Sequence, residues 1–182
     1  MKRNFDVALE HVLKHEGGFT ADSRDPGNHG DGHGNQGSTN LGVTAKVWAH
    51  YTNNPAPIEV MKKLTPEDVG PLYKTEYWDR MHLDSPAVAS GLDYFLFDFA
   101  VNSGTGRSAK YIQRIAGATA DGAIGPKSLQ AIGSLEAVDA IERLYGARQR
   151  FYERLKTFET FGKGWSRRNS EVRKYALELA NG

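Results

Sequence analysis

Cysteine is absent from the 182-residue chain, which excludes disulfides, thiol nucleophiles, iron–sulfur clusters and zinc sites built on thiolates. Any demanding chemistry must therefore rest on carboxylates, histidines or hydroxyls. Long hydrophobic runs are missing too. The longest, Tyr94 to Val101, is interrupted by Asp98 and falls far short of the roughly 20 residues that a membrane helix requires. The N-terminal segment MKRNFDVALEHVLKHEGG carries charges inside its apolar pattern, so it lacks the unbroken core of a secretory signal. Synthesis in the cytoplasm without self-insertion is the expectation. Glycine, by contrast, is abundant, with 20 residues against the about 13 that a usual ~7% share gives, and six of them fall between Gly27 and Gly42. The formal charge of +1 hides an asymmetry: residues 1–103 hold 9 basic and 14 acidic side chains, net −5, and residues 104–182 hold 14 and 8, net +6. A basic second half suits a polyanion such as nucleic acid or an anionic wall polymer, and a solvated helical surface explains it equally well. No phosphate-cradling or base-reading motif supports nucleic acid.

Helical periodicity dominates and nothing reads as a long alternating strand, so the expected class is mainly α, with few or no strands. Phe5, Leu9, Val12 and Leu13 share one helical face, with Lys2, Asp6, Glu10 and Lys14 opposite, and Gly17-Gly18 ends the helix. Thr44 reads as the N-cap of a short helix to Tyr51. Thr65-Pro66-Glu67-Asp68 starts another that Pro71 should interrupt or restart and that then runs through Tyr77-Trp78. Ser85-Pro86 repeats the start signal before a helix through Phe99 that is apolar nearly all round, hence central and buried. Further helices are expected around Ala109 to Ala116, after Pro126, from Leu135 to Leu155, and from Asn169 to Ala180.

Glu16 is the most informative residue. It follows Leu13 and Val12 by three and four positions, which puts a carboxylate on the apolar face at a helix C-terminus. Burial and the negative end of the helix dipole both favour the protonated form, as a general acid at neutral pH requires. An outward orientation at a frayed end, or pairing with a distant base, is the bland alternative. A second acid would complete the minimal set for glycoside hydrolysis; Asp22, Asp25 and Asp31 are candidates. Asp25 precedes Pro26-Gly27, so it reads equally as a turn cap. His29, Asp31 and His33 alternate within a glycine-rich loop that offers a metal no rigid platform, so a polar, solvated loop and no metal are expected.

The ordered motifs His15-Glu16-Gly17-Gly18-Phe19, Asp25-Pro26-Gly27, Thr39-Asn40-Leu41-Gly42-Val43-Thr44, Tyr77-Trp78 and Phe97 to Gly104 resemble the glycoside hydrolase family 108 lysozymes, phage and bacterial muramidases also described as secretion activators. Gln113 through Asp121 to Pro126 and on to Gly164-Trp165 is similar to that family's C-terminal peptidoglycan-binding-like region. The resemblance covers nearly the whole chain. It implies a lysozyme-like helical fold, with a catalytic region over 1–104 and a helical region over 105–182 packed on it. It also implies cleavage of the β-1,4 bond between N-acetylmuramic acid and N-acetylglucosamine by an inverting displacement. Glu16 would be the acid, Asp25 would hold the attacking water or stabilise the transition state, and Thr39 would help place that water. Asn40, Tyr77, Trp78, Asp98 and Asn102 would line the sugar site, although Asp98 and Asn102 read equally as a buried pair capping neighbouring backbone and only one of the adjacent Tyr77 and Trp78 can face a cleft. The segment Asn28 to Ser38 is longer than the family's usual link between Asp-Pro-Gly and Thr-Asn, and its glycines suggest a mobile flap. The partners implied are peptidoglycan glycan strands, with anionic envelope polymers attracted by basic residues such as Arg143, Arg148, Arg150, Arg154 and Arg168. No cofactor, no nucleic acid and a monomer are expected. The setting implied is phage or prophage lysis, with release from the host cytoplasm to the periplasm and wall by a holin-type lesion. A lytic transglycosylase and a non-catalytic wall-binding or secretion-activating protein are the alternatives.

Overall fold

The structure, a computed structural model, describes residues 4–182, so Lys2 lies outside the described residues. The fold is mainly helical, as expected, with helices α1 (Phe5–Glu16), α2 (Ala45–Thr52), α3 (Ile58–Lys62), α4 (Pro66–Tyr73), α5 (Leu92–Ser103), α6 (Thr105–Ile115), α7 (Pro126–Ile132), α8 (Ala137–Glu153) and α9 (Phe158–Asn181). Among the described residues the sheet is one antiparallel hairpin, β1 (Thr39–Asn40) with β2 (Val43–Thr44), in the register Thr39 opposite Thr44 and Asn40 opposite Val43. Two compact units form: Leu9–Lys74, and Thr75–Gly182 with the start of α1 up to Ala8.

In the first unit, local chemistry places each element. Gly17 turns left-handed at φ +79° and closes α1. The Thr44 side chain accepts the Val47 N–H at 3.3 Å to start α2, and Asn53, left-handed at φ 54°, ends it. Thr65 and Asp68 form a reciprocal capping box at the head of α4, where Pro66 takes the first helical position. Ala45, Ala49, Ala56 and Met61 form one buried cluster, with Trp48 and Leu64 packed against it, and Val12, Val43, Val69, Leu72 and Tyr73 are buried as well. Pro71 does not interrupt α4. The helix continues to Tyr73 and then widens into a π-helical segment, Lys74–Asp79.

The second unit is built on α5. Residues 92–100 are all buried, and α6, α8 and α9 pack against that helix. Burying one Leu or Phe side chain of such a helix contributes about 1.5–3 kcal/mol. The rings of Phe5, Trp78 and Phe97 meet edge to face, with centroids 5.3 to 5.6 Å apart. α5 starts at Leu92 rather than after Pro86, because Ser85 caps a turn instead, its Oγ accepting the Ala87 N–H at 3.3 Å. Gly91, at φ +81°, precedes α5 and lies so close to the Ala176 carbonyl that a β-carbon there would collide with it. α9 starts eleven residues before the expected Asn169.

Candidate active site

Glu16 is the last residue of α1 and is half-buried. Its side chain packs against the two-residue turn of the hairpin, Leu41-Gly42. Both turn residues have positive φ, 50° and 74°, as a type I′ turn requires. A β-carbon on Gly42 would stand 2.9 Å from Glu16 Cβ, 3.0 Å from Glu16 Cγ and 2.5 Å from the Tyr73 hydroxyl oxygen. Glycine is thus required twice at this position, for backbone conformation and for space. The Tyr73 hydroxyl donates to the Leu41 carbonyl at 2.9 Å and so fixes the other half of the turn. Leu41 bears a β-carbon in the left-handed region, at a cost of about 1–2 kcal/mol, and the Tyr73 bond helps offset it.

The open end of the same hairpin gathers Asp25 and Thr39. Asp25 Oδ1 accepts the Gly27 N–H at 2.8 Å and caps the short 3-10 turn Pro26–Asn28. A β-carbon on Gly27 would lie 3.3 Å from Asp25 Oδ1 and 3.6 Å from Thr39 Oγ1, so those two oxygens are less than about 7 Å apart. Thr39 Oγ1 donates to Asn28 Oδ1 at 2.8 Å, and the Thr39 backbone exchanges both hydrogen bonds with Thr20 at 2.8 Å. Thr39 therefore reaches the Asp25 turn despite the intervening segment. From the Gly42 turn to Thr44, where Asp25 and Thr39 gather, the strand advances two residues, roughly 7 Å.

The segment between Asn28 and Ser38 is polar and largely exposed, as expected, but it is not an unstructured flap. It folds around Asp31, which is only 2% exposed. Asp31 accepts hydrogen bonds from the backbone N–H groups of His33 (2.8 Å), Asn35 (3.1 Å) and Ala56 (2.9 Å) and from the Asn35 amide (2.7 Å). Burial alone would push its carboxyl up; these four donors outweigh it and hold the group well below the ordinary carboxylate range. Gly37 closes the loop so tightly on Asn28 and Gly30 that no side chain fits there. Asp31 is thus a structural anchor, with its oxygens engaged inward and not offered between His29 and His33.

Three of the expected sugar-facing residues are corrected. Asn40 is 6% exposed and its amide donates to the Met61 carbonyl at 2.8 Å, tying β1 to α3. Trp78 is fully buried among aromatic rings. Asp98 is 2% exposed and sits between two guanidinium groups, Arg148 Nη2 at 2.6 Å from Oδ1 and Arg168 Nη2 at 2.9 Å from Oδ2. Burial raises the Asp98 carboxyl, and the charges and hydrogen bonds of Arg148 and Arg168 outweigh it, holding the group below its ordinary range. Arg148 and Arg168 are correspondingly buried, not part of a solvated basic face. Asn102 is half-buried and accepts the Tyr152 hydroxyl at 2.6 Å, while Tyr152 in turn accepts Arg148 Nε at 2.6 Å. Tyr77 keeps part of its surface exposed.

Some roles were not visible in the sequence. Tyr73 gave no signal beyond its place on an apolar helix face. Gln113, fully buried, clamps the turn that follows it: its amide donates to Asp121 Oδ1 (2.8 Å), the Ala123 carbonyl (3.0 Å) and Ser128 Oγ (2.9 Å), and its carbonyl accepts the Gly122 N–H (3.0 Å). An uncharged polar residue inside a helix, eight positions before Asp-Gly, was the available hint.

Comparison with known proteins bears on this arrangement. Residues 9–104 match the family model described as Glycosyl hydrolase 108, and residues 107–170 match one described as a Predicted Peptidoglycan domain. Eleven solved chains match. One is Brucella abortus SagA, 34% identical, with a TM-score of 0.81 over 98% of this chain and 97% of that chain. No curated protein matches.

Proposed function

Since the chain belongs to the glycosyl hydrolase 108 family, we propose that it is a peptidoglycan hydrolase of the N-acetylmuramidase type, cleaving the β-1,4 bond between N-acetylmuramic acid and N-acetylglucosamine. Glu16, presented by α1 against the hairpin turn, is the general acid that protonates the glycosidic oxygen. At the other end of the hairpin, Asp25 Oδ1 holds the Gly27 N–H, which leaves Oδ2 to take a proton from water. The Thr39 hydroxyl hydrogen is directed to Asn28. Its lone pairs are then turned to accept a hydrogen bond from the same water. The observation that carries this reading is the placement of Glu16 and the Asp25–Thr39 pair at opposite ends of one two-residue hairpin. An inverting enzyme needs its carboxyl groups about 6.5–9.5 Å apart to admit water, and a retaining one about 5–5.5 Å. Water attacks the anomeric carbon as its proton passes to Asp25, the bond to the leaving oxygen breaks, and Glu16 supplies the proton that makes that oxygen a hydroxyl.

The setting we propose is lysis from within, the enzyme passing from the cytoplasm to the periplasm and wall through a holin-type lesion. Digestion of purified peptidoglycan followed by NMR of the first products tests the chemistry. α-Configured reducing ends on N-acetylmuramic acid are expected. Products ending in 1,6-anhydro sugars would replace it with a transglycosylase, and an initial β-anomer with a retaining mechanism.

A further inference from the structure

An open, arginine-lined groove runs between α6 and α8 in the C-terminal region, about 430 Å³ in its larger part, with a second part of about 190 Å³ sharing Arg114, Ile115, Ala147 and Arg150. Arg143, ion-paired with Asp139 at 3.4 Å, lines one end and Arg154 the other. Arg143, Ala147, Arg150 and Arg154 follow one another at four, three and four positions, so they lie along one face of α8. Glu142, the acid at the rim, has both oxygens on Arg173, at 2.5 and 2.8 Å. Among the described residues, Arg114, Arg150 and Arg154 have no carboxylate partner; the Arg114 guanidinium lies over the Tyr111 ring at 5.6 Å. The Arg150 guanidinium folds back on Gly146, with Nη1 3.3 Å from where a β-carbon would stand. A glycine inside a long helix is ordinarily unfavourable. Here it opens the groove floor and seats a cation.

We propose that this groove receives the peptide stem of peptidoglycan, an extended acidic peptide with small apolar side chains. The proposal rests on the peptidoglycan reading above. Along α8 the two guanidinium-bearing positions without a carboxylate partner, Arg150 and Arg154, are separated by roughly 6 Å. The free carboxylates of that stem sit on neighbouring residues, and one or two residues of an extended chain, at about 3.3 Å each, reach that spacing. Ile115 and Ala147 give the floor apolar contacts suited to alanyl methyl groups, which a phosphate polymer does not have. Paired guanidinium donors suit the planar carboxylate.

The test is calorimetric titration of the full chain with a free stem tetrapeptide (alanine, γ-linked glutamate, diaminopimelate, alanine), which contains no glycosidic bond. The same peptide with amidated carboxyls and inorganic tripolyphosphate are the other two probes. Binding is expected for the free peptide, weakened at least about tenfold by amidation and by the surface double variant Arg114→Gln/Arg150→Gln. Gly146→Leu, which keeps every charge but fills the floor, should weaken it as well. No binding by the wild type, equal binding by the variants, or tighter binding of tripolyphosphate than of the peptide would each overturn the proposal. Because the probe has no bond to cleave, peptide binding by a chain that fails to degrade glycan strands would sink the hydrolase reading and leave the groove standing. Clearance of peptidoglycan with no peptide binding would do the reverse.

Discussion

Gly42→Ala is the perturbation that most directly probes how the hairpin positions Glu16. Two penalties add there. A left-handed backbone costs an L-residue about 1–2 kcal/mol. A methyl group 2.5 Å from the Tyr73 hydroxyl and 2.9 Å from Glu16 Cβ overpacks the site by a further ~1–3 kcal/mol. Gly17→Ala is the matched control, since Gly17 has nearly the same φ, +79°, adjoins the same glutamate, and has nothing within 4 Å of its β-carbon position. Urea unfolding followed by circular dichroism should place Gly17→Ala about 1–2 kcal/mol below wild type, and Gly42→Ala lower again by about 1–3 kcal/mol. Combining Gly42→Ala with Tyr73→Phe removes the closest clashing atom, so the alanine should cost about 1 kcal/mol less in that background. Displacing Glu16 by even 1 Å is worth about a hundredfold in rate. Peptidoglycan clearance should fall by that order in Gly42→Ala and stay near wild type in Gly17→Ala. Equal stability losses and equal rates in the two alanine variants would refute the packing of Glu16 against the turn.

Asp98→Ala strands two buried guanidinium groups and should cost about 3–5 kcal/mol, whereas replacing Asp98, Arg148 and Arg168 together by Leu, Met and Met should be near neutral; thermal unfolding compares them. Asp31 has a depressed carboxyl, so its contribution is fully present above the unfolded value of about 3.9 and is lost as pH falls below it toward the lower folded value. NMR shifts of the His33, Asn35 and Ala56 amides should hold steady from pH 7 to about 4 and move only below, and they should already be displaced at neutral pH in Asp31→Ala. Gln113→Ala removes four hydrogen bonds from one buried amide and should cost about 2–4 kcal/mol. Hydrogen exchange should show the loss concentrated between Asp121 and Ser128.

The helices were legible wherever an apolar period coincided with a cap: α1 ending at Gly17, α2 starting at Thr44, α4 at Thr65-Pro66, and α8 on its amphipathic stripe. They were misjudged where a local signal had a second use. Ser85-Pro86 looks like a helix start but caps a turn, because Gly91 fixes the true start of α5. Gly162 and Gly164 sit inside α9 and disguised its first half, although Gly162 packs directly on the Phe158 ring. Of the candidate site, the exit of α1 at Glu16 and the turn at Asp25 could be read locally, since the residues that shape them are neighbours in the chain. The fate of Asp98 could not, because its partners lie 50 and 70 positions away. The loop around Asp31 was opaque for a related reason: four donors from three residues, one of them Ala56, turn a glycine-rich stretch into a folded one.

The central claim, that Glu16 donates the proton, is tested most directly by comparing initial rates of wild type and Glu16→Gln on purified peptidoglycan, with mass spectrometry of the muropeptides released. Glutamine keeps the shape and removes the acid, so the rate should drop by about 10²–10⁴-fold, with circular dichroism and urea unfolding unchanged. A Glu16→Gln protein that clears peptidoglycan at the wild-type rate would contradict the account.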